Sequence, residues 1–248
     1  MMGGSTSRPS FYTGVPMFPL RDTIRAKSFP VVTYGLIAAN VAVFLFESVL
    51  GSGAMAAFMD SFALIPARLS LSNPLSWFTL LSSAFLHGGW FHLLSNMWML
   101  HIFGDNVEDS MGSARYLMFY LIGGVISGLV HAAFSTYSTI PTVGASGAIA
   151  AVMGAYVLLY PHGRVVTLIP GLFFLPWFIE VRAFLFLGFW FLSQISNGLL
   201  SLGLVGPAQF SGVAWWAHIG GFIFGMIGAR LFSKPERPDR DYSAYIGY

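Results

Sequence analysis

The sequence predicts an all-α membrane protein, a bundle of six transmembrane helices with a structured first loop. Three observations carry the prediction. Of 248 residues, 56% are hydrophobic and 9% charged, and the mean hydropathy is +0.71, which leaves too little polar surface to clothe a soluble globule of this size. Six apolar runs alternate with polar or Pro/Gly-rich breaks. The basic residues fall on alternate breaks, so one orientation collects nearly all of them on a single side.

Residues 1–28 are rich in Gly, Ser and Pro, carry Arg8, Arg21, Arg25 and Lys27, and are too few for a folded unit, so they read as a flexible cytoplasmic arm. The first span covers about Phe29 to Val49 and, with no small-residue cleavage site, reads as an uncleaved helix rather than a signal peptide. Leu50 to Gly89 mixes apolar pieces with Asp60, Pro66, Arg68 and Pro74, the pattern of a structured loop lying in the interface. The second span runs from about Trp90 to Phe103, or a turn further, and is expected to stop at a turn over Gly104, Asp105 and Asn106 beside Glu108 and Asp109. The third runs from Arg115 to about Phe134, and a polar hairpin over Ser135–Val143 leads to the fourth.

The fourth span starts at Ser146, inside Val143-Gly144-Ala145-Ser146-Gly147-Ala148, and ends at Tyr160 before Pro161 and Gly163. Its fifteen residues make roughly 22 Å at about 1.5 Å each, against about 30 Å of hydrocarbon. With its far end at the cytoplasmic interface, Ser146 is submerged. Val165–Val181 is apolar, but Pro170, Gly171 and Pro176 break it and Arg164 and Arg182 flank it, so it is expected at the cytoplasmic interface. Ala183 to about Leu202 is the fifth span, Gly203–Val213 a Gly- and Ser-containing loop, and Ala214–Phe232 the sixth. The membrane domain thus covers residues 29–232, and 233–248 form a cytoplasmic tail.

The arm, Arg115, Arg164, Arg182, Arg230, Lys234, Arg237 and Arg240 share one side and leave only Arg68 opposite, which puts both termini in the cytoplasm. A formal charge of +2 is too small to imply a nucleic-acid partner. The absence of cysteine excludes a disulfide scaffold, thiolate zinc sites and a cysteine nucleophile.

Spans two, four and six all enter from the outer side, so residues near their starts share one depth. His92, Asn96, Ser146 and His218 lie near those starts. Polar groups in hydrocarbon are costly, and several at one level on three helices point to a functional site. A serine needs a base to take its proton, and His218 is the candidate. His92 and Asn96, spaced i, i+4, face the same way and, with the backbone N–H of Ser146, could donate to a developing oxyanion. Each has a bland reading alone: a serine bonded to its own helix, a histidine lining a bundle, an asparagine joining helices. The shared depth favours the site, as do Gly220, Gly221 and Gly225, which let the sixth span close on the small face Gly147, Ala151, Ala155. His87 and His92 lack the i, i+4 spacing of a helical metal pair, no carboxylate is expected at their depth, and neither metal nor cofactor is expected. His101 and His162 read as structural, and His131 as an accessory to the cavity.

The ordered set His87-Gly88-Gly89-Trp90-Phe91-His92-Leu93-Leu94-Ser95-Asn96, then Gly104-Asp105-Asn106-Val107-Glu108-Asp109 with Gly112, then Gly144-Ala145-Ser146-Gly147-Ala148, then Ala217-His218-Ile219-Gly220-Gly221 with Gly225 resembles the rhomboid family of intramembrane serine proteases. The resemblance covers about residues 30–232 and looks like a six-span bacterial or archaeal member. It implies a rhomboid-like bundle in which Ser146 and His218 form a catalytic dyad and His92 and Asn96 help build the oxyanion hole. It implies no cofactor, and as partners other transmembrane proteins as substrates and membrane lipid. It also implies a mobile fifth span and the loop before the sixth as the gate, and a prokaryotic inner membrane as the location. Two departures stand out: no Trp-Arg pair occurs in the first loop, and Ala150 stands four residues after the serine, where some members carry an aromatic side chain under the histidine. What orients His218 is left open. The alternatives are a catalytically silent rhomboid-like protein that binds membrane clients, and a small transporter, against which the lack of a second matching half argues.

Overall fold

The computed structural model describes residues 18–170, 176–203 and 213–235. Among them the bundle is formed by α1 (Val31–Val49), α4 (Trp90–Met111), α5 (Ser113–Phe134), α6 (Ser146–Leu159), α7 (Ala183–Gly203) and α8 (Trp215–Phe232). Two shorter helices, α2 (Ser52–Phe62) and α3 (Leu75–Ser82), build the first loop together with 3-10 turns at Pro66–Arg68 and Ser83–Phe85. This is an all-α membrane bundle with a structured first loop. By length and composition α1, α5 and α7 can each cross a membrane.

Burial follows the logic of a bundle in lipid. On α1 only the stripe Thr33, Leu36, Asn40, Phe44, Glu47 is buried, at helical spacing, while Leu45, Phe46 and Val49 lie exposed. Helix α6 is different: every residue from Gly147 to Tyr156 is buried. It is the central post, packed most extensively on α8 and also on α4 and α5. Its small residues allow this, since a Cβ at Gly221 of α8 would run into the backbone carbonyl of Gly147, and one at Gly225 into that of Ala151.

The second span does not end at Gly104. Helix α4 continues to Met111 and stops at Gly112, whose φ of +80° suits glycine. Gly104 is a point of close approach: an added Cβ would sit 2.8 Å from Tyr116 Oη and 2.9 Å from Thr33 Cγ2. Glu108, expected beside a turn, instead caps α1. Its carboxylate accepts from Val32 N at 3.0 Å, Thr33 N at 2.8 Å and Thr33 Oγ1 at 2.9 Å, meeting orphan donors of a helix N-terminus that has no capping side chain of its own.

The inner part of the expected flexible arm is ordered, and the segment after α6 is built of strands, which were not expected from the sequence. Residues Phe18–Asp22 form strand β1, which pairs antiparallel with β2 (Arg164–Pro170), and β2 pairs antiparallel with β3 (Pro176–Arg182). Pro19 O accepts from Trp98 Nε1 at 2.7 Å, and Asp22 Oδ2 accepts from Tyr156 Oη at 2.6 Å and Asn106 Nδ2 at 2.8 Å, so β1 is bound to α4 and α6. The segment expected at the interface thus supplies two paired strands, which follow the C-terminal end of α6, opposite Ser146. The outer part of the arm, residues 171–175 with Gly171, most of the stretch expected as a loop before α8 and the tail beyond Pro235 lie outside the described residues. The first tail residues dock on α4, with Lys234 N donating to Ser110 O at 3.0 Å.

Candidate active site

The segment that delivers Ser146 is pinned to the first loop. Leu64 and Thr142 exchange backbone hydrogen bonds of 3.1 and 2.8 Å, and Gly144 N donates to Ser83 O at 2.9 Å. Gly144 has φ +126°, a conformation that L side chains rarely adopt, and the space a Cβ would occupy is taken by His92, 2.7 Å away at Cε1 and Nε2. The chain then turns directly into α6, whose first-turn N–H groups, Ser146 first among them, have no intrahelical acceptor.

Ser146 Oγ and His218 Nε2 are hydrogen-bonded at 2.8 Å. The two side chains come from α6 and α8, and the glycine seam described above brings those helices close enough for them to meet. His218 is 9% exposed. The ring of Trp190 lies 5.7 Å from it, centroid to centroid, and that of Trp215 lies edge-on at 6.3 Å. Its second nitrogen, Nδ1, meets Gln194 Oε1 of α7 at 2.8 Å. Ala150 is fully buried beside Gly221.

His92 and Asn96 flank Gly144, Asn96 Nδ2 standing 3.6 Å from where a Cβ of residue 144 would be. All four residues singled out from depth thus converge around the start of α6. His87, considered from sequence only as a metal ligand, has another place: its buried ring accepts from Asn96 Nδ2 at 3.0 Å, and its ring packs edge-on to His92 at 5.2 Å. Glu47 corrects the expectation that no carboxylate reaches this level. It is 1% exposed at the end of α1, and Oε2 accepts from His87 N at 3.2 Å. His131 bonds Thr142 Oγ1 at 3.1 Å, so it braces the segment before Ser146 and does not line the cavity at the serine. That cavity, ≈ 30 Å³, is lined by Ser83, Ser127, Gly144, Ser146 and Gly147 among others, room for about one water.

The residue missed from sequence is Gln194. The available signal was a pair of amides, Gln194 and Asn197, in a helix otherwise made of aromatic and aliphatic residues with a few hydroxyls, where a polar side chain in hydrocarbon calls for a partner.

A family model described as "Rhomboid domain" matches residues 74–235. The human "Presenilin-associated rhomboid-like protein, mitochondrial" is 31% identical over 218 residues, 82% of this chain and 50% of the relative. The Bacillus subtilis (strain 168) "Rhomboid protease GluP" is 34% identical over 131 residues, 53% of this chain and 24% of the relative. From the same organism, "Putative rhomboid protease YdcA" is 32% identical over 135 residues, 53% of this chain and 63% of the relative. The chain spans about half the length of the mitochondrial relative. Mitochondrial names beside bacterial ones give no support to a prokaryotic inner membrane in particular, while an integral membrane location stands.

Proposed function

The chain belongs to the rhomboid family, and from that premise we propose that it is an intramembrane serine endopeptidase that cuts transmembrane segments of other membrane proteins through a Ser146–His218 dyad. The observation that carries the proposal is the 2.8 Å hydrogen bond between Ser146 Oγ and His218 Nε2, made between two helices at the start of α6.

Ser146 Oγ attacks the carbonyl carbon of the scissile peptide as its proton passes to His218 Nε2. The carbonyl oxygen becomes an oxyanion, held by Ser146 N–H at the positive end of the α6 dipole and by His92 and Asn96. The C–N bond then breaks, the leaving amine takes the proton from His218, and Ser146 is left as an ester. A water, for which the cavity beside the serine has room, attacks that ester with His218 again as base, releasing the acid and restoring Ser146. His87 holds the Asn96 amide in place for this task. The exposed apolar faces of α1, α5 and α7 put the catalyst in lipid, where its substrates also lie.

The test is labelling with a fluorophosphonate probe and cleavage of a transmembrane test substrate by purified protein. Wild type is expected to do both, and Ser146→Ala and His218→Ala neither, a loss of about 10⁶-fold in rate where the background allows it to be read. Equal cleavage by Ser146→Ala would sink the proposal. Capture of the substrate without any cleavage product, unchanged by His218→Ala, would indicate a client-binding protein instead.

A further inference from the structure

We infer that Gln194 of α7 is a positioning residue that fixes which nitrogen of His218 carries the proton, and so prepares the base that Ser146 needs. The inference rests on the protease reading above.

One chain of hydrogen bonds runs from α7 through His218 to Ser146. Gln194 Nε2 donates to the Trp190 carbonyl at 3.0 Å and to Ser193 Oγ at 2.8 Å. A backbone carbonyl only accepts, so the amide cannot be turned over without setting two oxygens against each other. The orientation leaves Gln194 Oε1 facing His218 Nδ1 at 2.8 Å, and an amide oxygen only accepts. Nδ1 therefore carries the hydrogen. In a neutral imidazole the other nitrogen then holds the lone pair, and it is Nε2 that faces Ser146 Oγ at 2.8 Å. Ser146 donates and His218 accepts, which is the polarity that proton abstraction requires.

Serine proteases in water commonly give this task to an aspartate, which also stabilises the imidazolium. Among the described residues no carboxylate bonds to His218. The titratable groups that act on it are His92 of α4 and His131 of α5, while the side chains that α6, α7 and α8 set against it are uncharged. A neutral acceptor suits the setting, since an unpaired carboxylate beside a neutral ring in hydrocarbon is costly. The plane of the ring is limited by Trp190 of the same helix and by Trp215. Helix α7 thereby supplies what Ala150, too small to reach under the ring, does not.

The experiment compares Gln194→Met and Gln194→Glu with wild type in cleavage of a transmembrane test substrate, with kcat, KM and the pH dependence of kcat measured on the full chain. Methionine keeps the length and loses the oxygen, and is expected to lower kcat about 10- to 100-fold with KM unchanged, short of the roughly 10⁴-fold loss when the partner of a protease histidine sets the wrong tautomer. Glutamate keeps an acceptor for Nδ1 but turns its second oxygen toward the Trp190 carbonyl, so it is expected to retain only part of the activity and, through its charge, to move the acidic limb of the kcat profile to higher pH. Thermal unfolding separates this from loss of fold. If Gln194→Met is misfolded, the glutamate variant decides: an unmoved limb overturns the inference. So does a folded methionine variant within twofold of wild type. If wild type itself neither cleaves nor labels, the protease reading and this inference fall together; if wild type cleaves and the variants match it, only this inference falls.

Discussion

Where α8 meets α6, backbone lies on backbone: Gly221 and Gly225 stand against the carbonyls of Gly147 and Ala151, and Gly154 against that of Phe222. Where α8 meets α7, side chains fill the gap: Phe191 stacks on Phe222 at 4.5 Å, Trp190 tilts against it at 6.0 Å, and Gln194 reaches His218. The first seam joins Ser146 to His218 and leaves no room for adjustment. The second joins His218 to the Gln194 amide through side chains that can repack. One histidine is thus held rigidly on its Ser146 side and adjustably from behind.

The same small change on each seam tests that contrast. Gly225→Ala sets a methyl group into the Ala151 backbone, and is expected to cost about 3 kcal/mol or more, at the upper end for overpacking, read as a fall in unfolding midpoint and loss of probe labelling together. Asn96→Ala belongs to the rigid side, since α4 packs on α6, and is expected to lower kcat about 10²- to 10³-fold as an oxyanion donor, with the unfolding midpoint held. Gly198→Ala on α7 meets only the ends of Ile219 and Trp216, 3.3 Å and 3.4 Å away, and should cost less than about 1 kcal/mol. Equal losses at Gly225 and Gly198 would erase the distinction.

A pH-dependent effect is expected at the far end of α6. Burial, with the Asp105 carboxylate adding to it and the Tyr156 hydrogen bond opposing it, pushes the Asp22 carboxyl up to about 7. The folded state then holds this proton at pH values where the unfolded chain, near 4, has lost it. Its contribution to stability is therefore fullest below about 4, falls as pH rises to about 7, and is flat above. Hydrogen exchange of the β1 amides, corrected for intrinsic rates, should show protection declining over that window, and Asp22→Asn should flatten it.

Much of this was legible because hydrocarbon makes polar residues conspicuous. His92, Asn96, Ser146 and His218 stood out from apolar runs, and a depth argument alone grouped them. What escaped notice depended on distant partners. Gly104-Asp105-Asn106 carries the local chemistry of a turn, and only Thr33 and Tyr116 packed against Gly104 explain why the helix continues. Val165 to Ile169 reads as one more apolar run; its β-branched residues become a strand because Phe18–Asp22, far off in sequence, pairs with it. Nothing local in the sequence distinguishes Gln194 or Glu47, whose partners, His218 and His87, lie 24 and 40 residues away.

Glu108 lies 75 residues after Thr33, so during synthesis the first helix leaves the ribosome well before the carboxylate that closes its N-terminus. Until α4 is inserted, the N–H groups of Val32 and Thr33 must be satisfied by water or lipid headgroups. A nascent chain halted before residue 108 therefore carries a first span that frays at its start, and the arrival of α4 is the event that closes the N-terminus of α1.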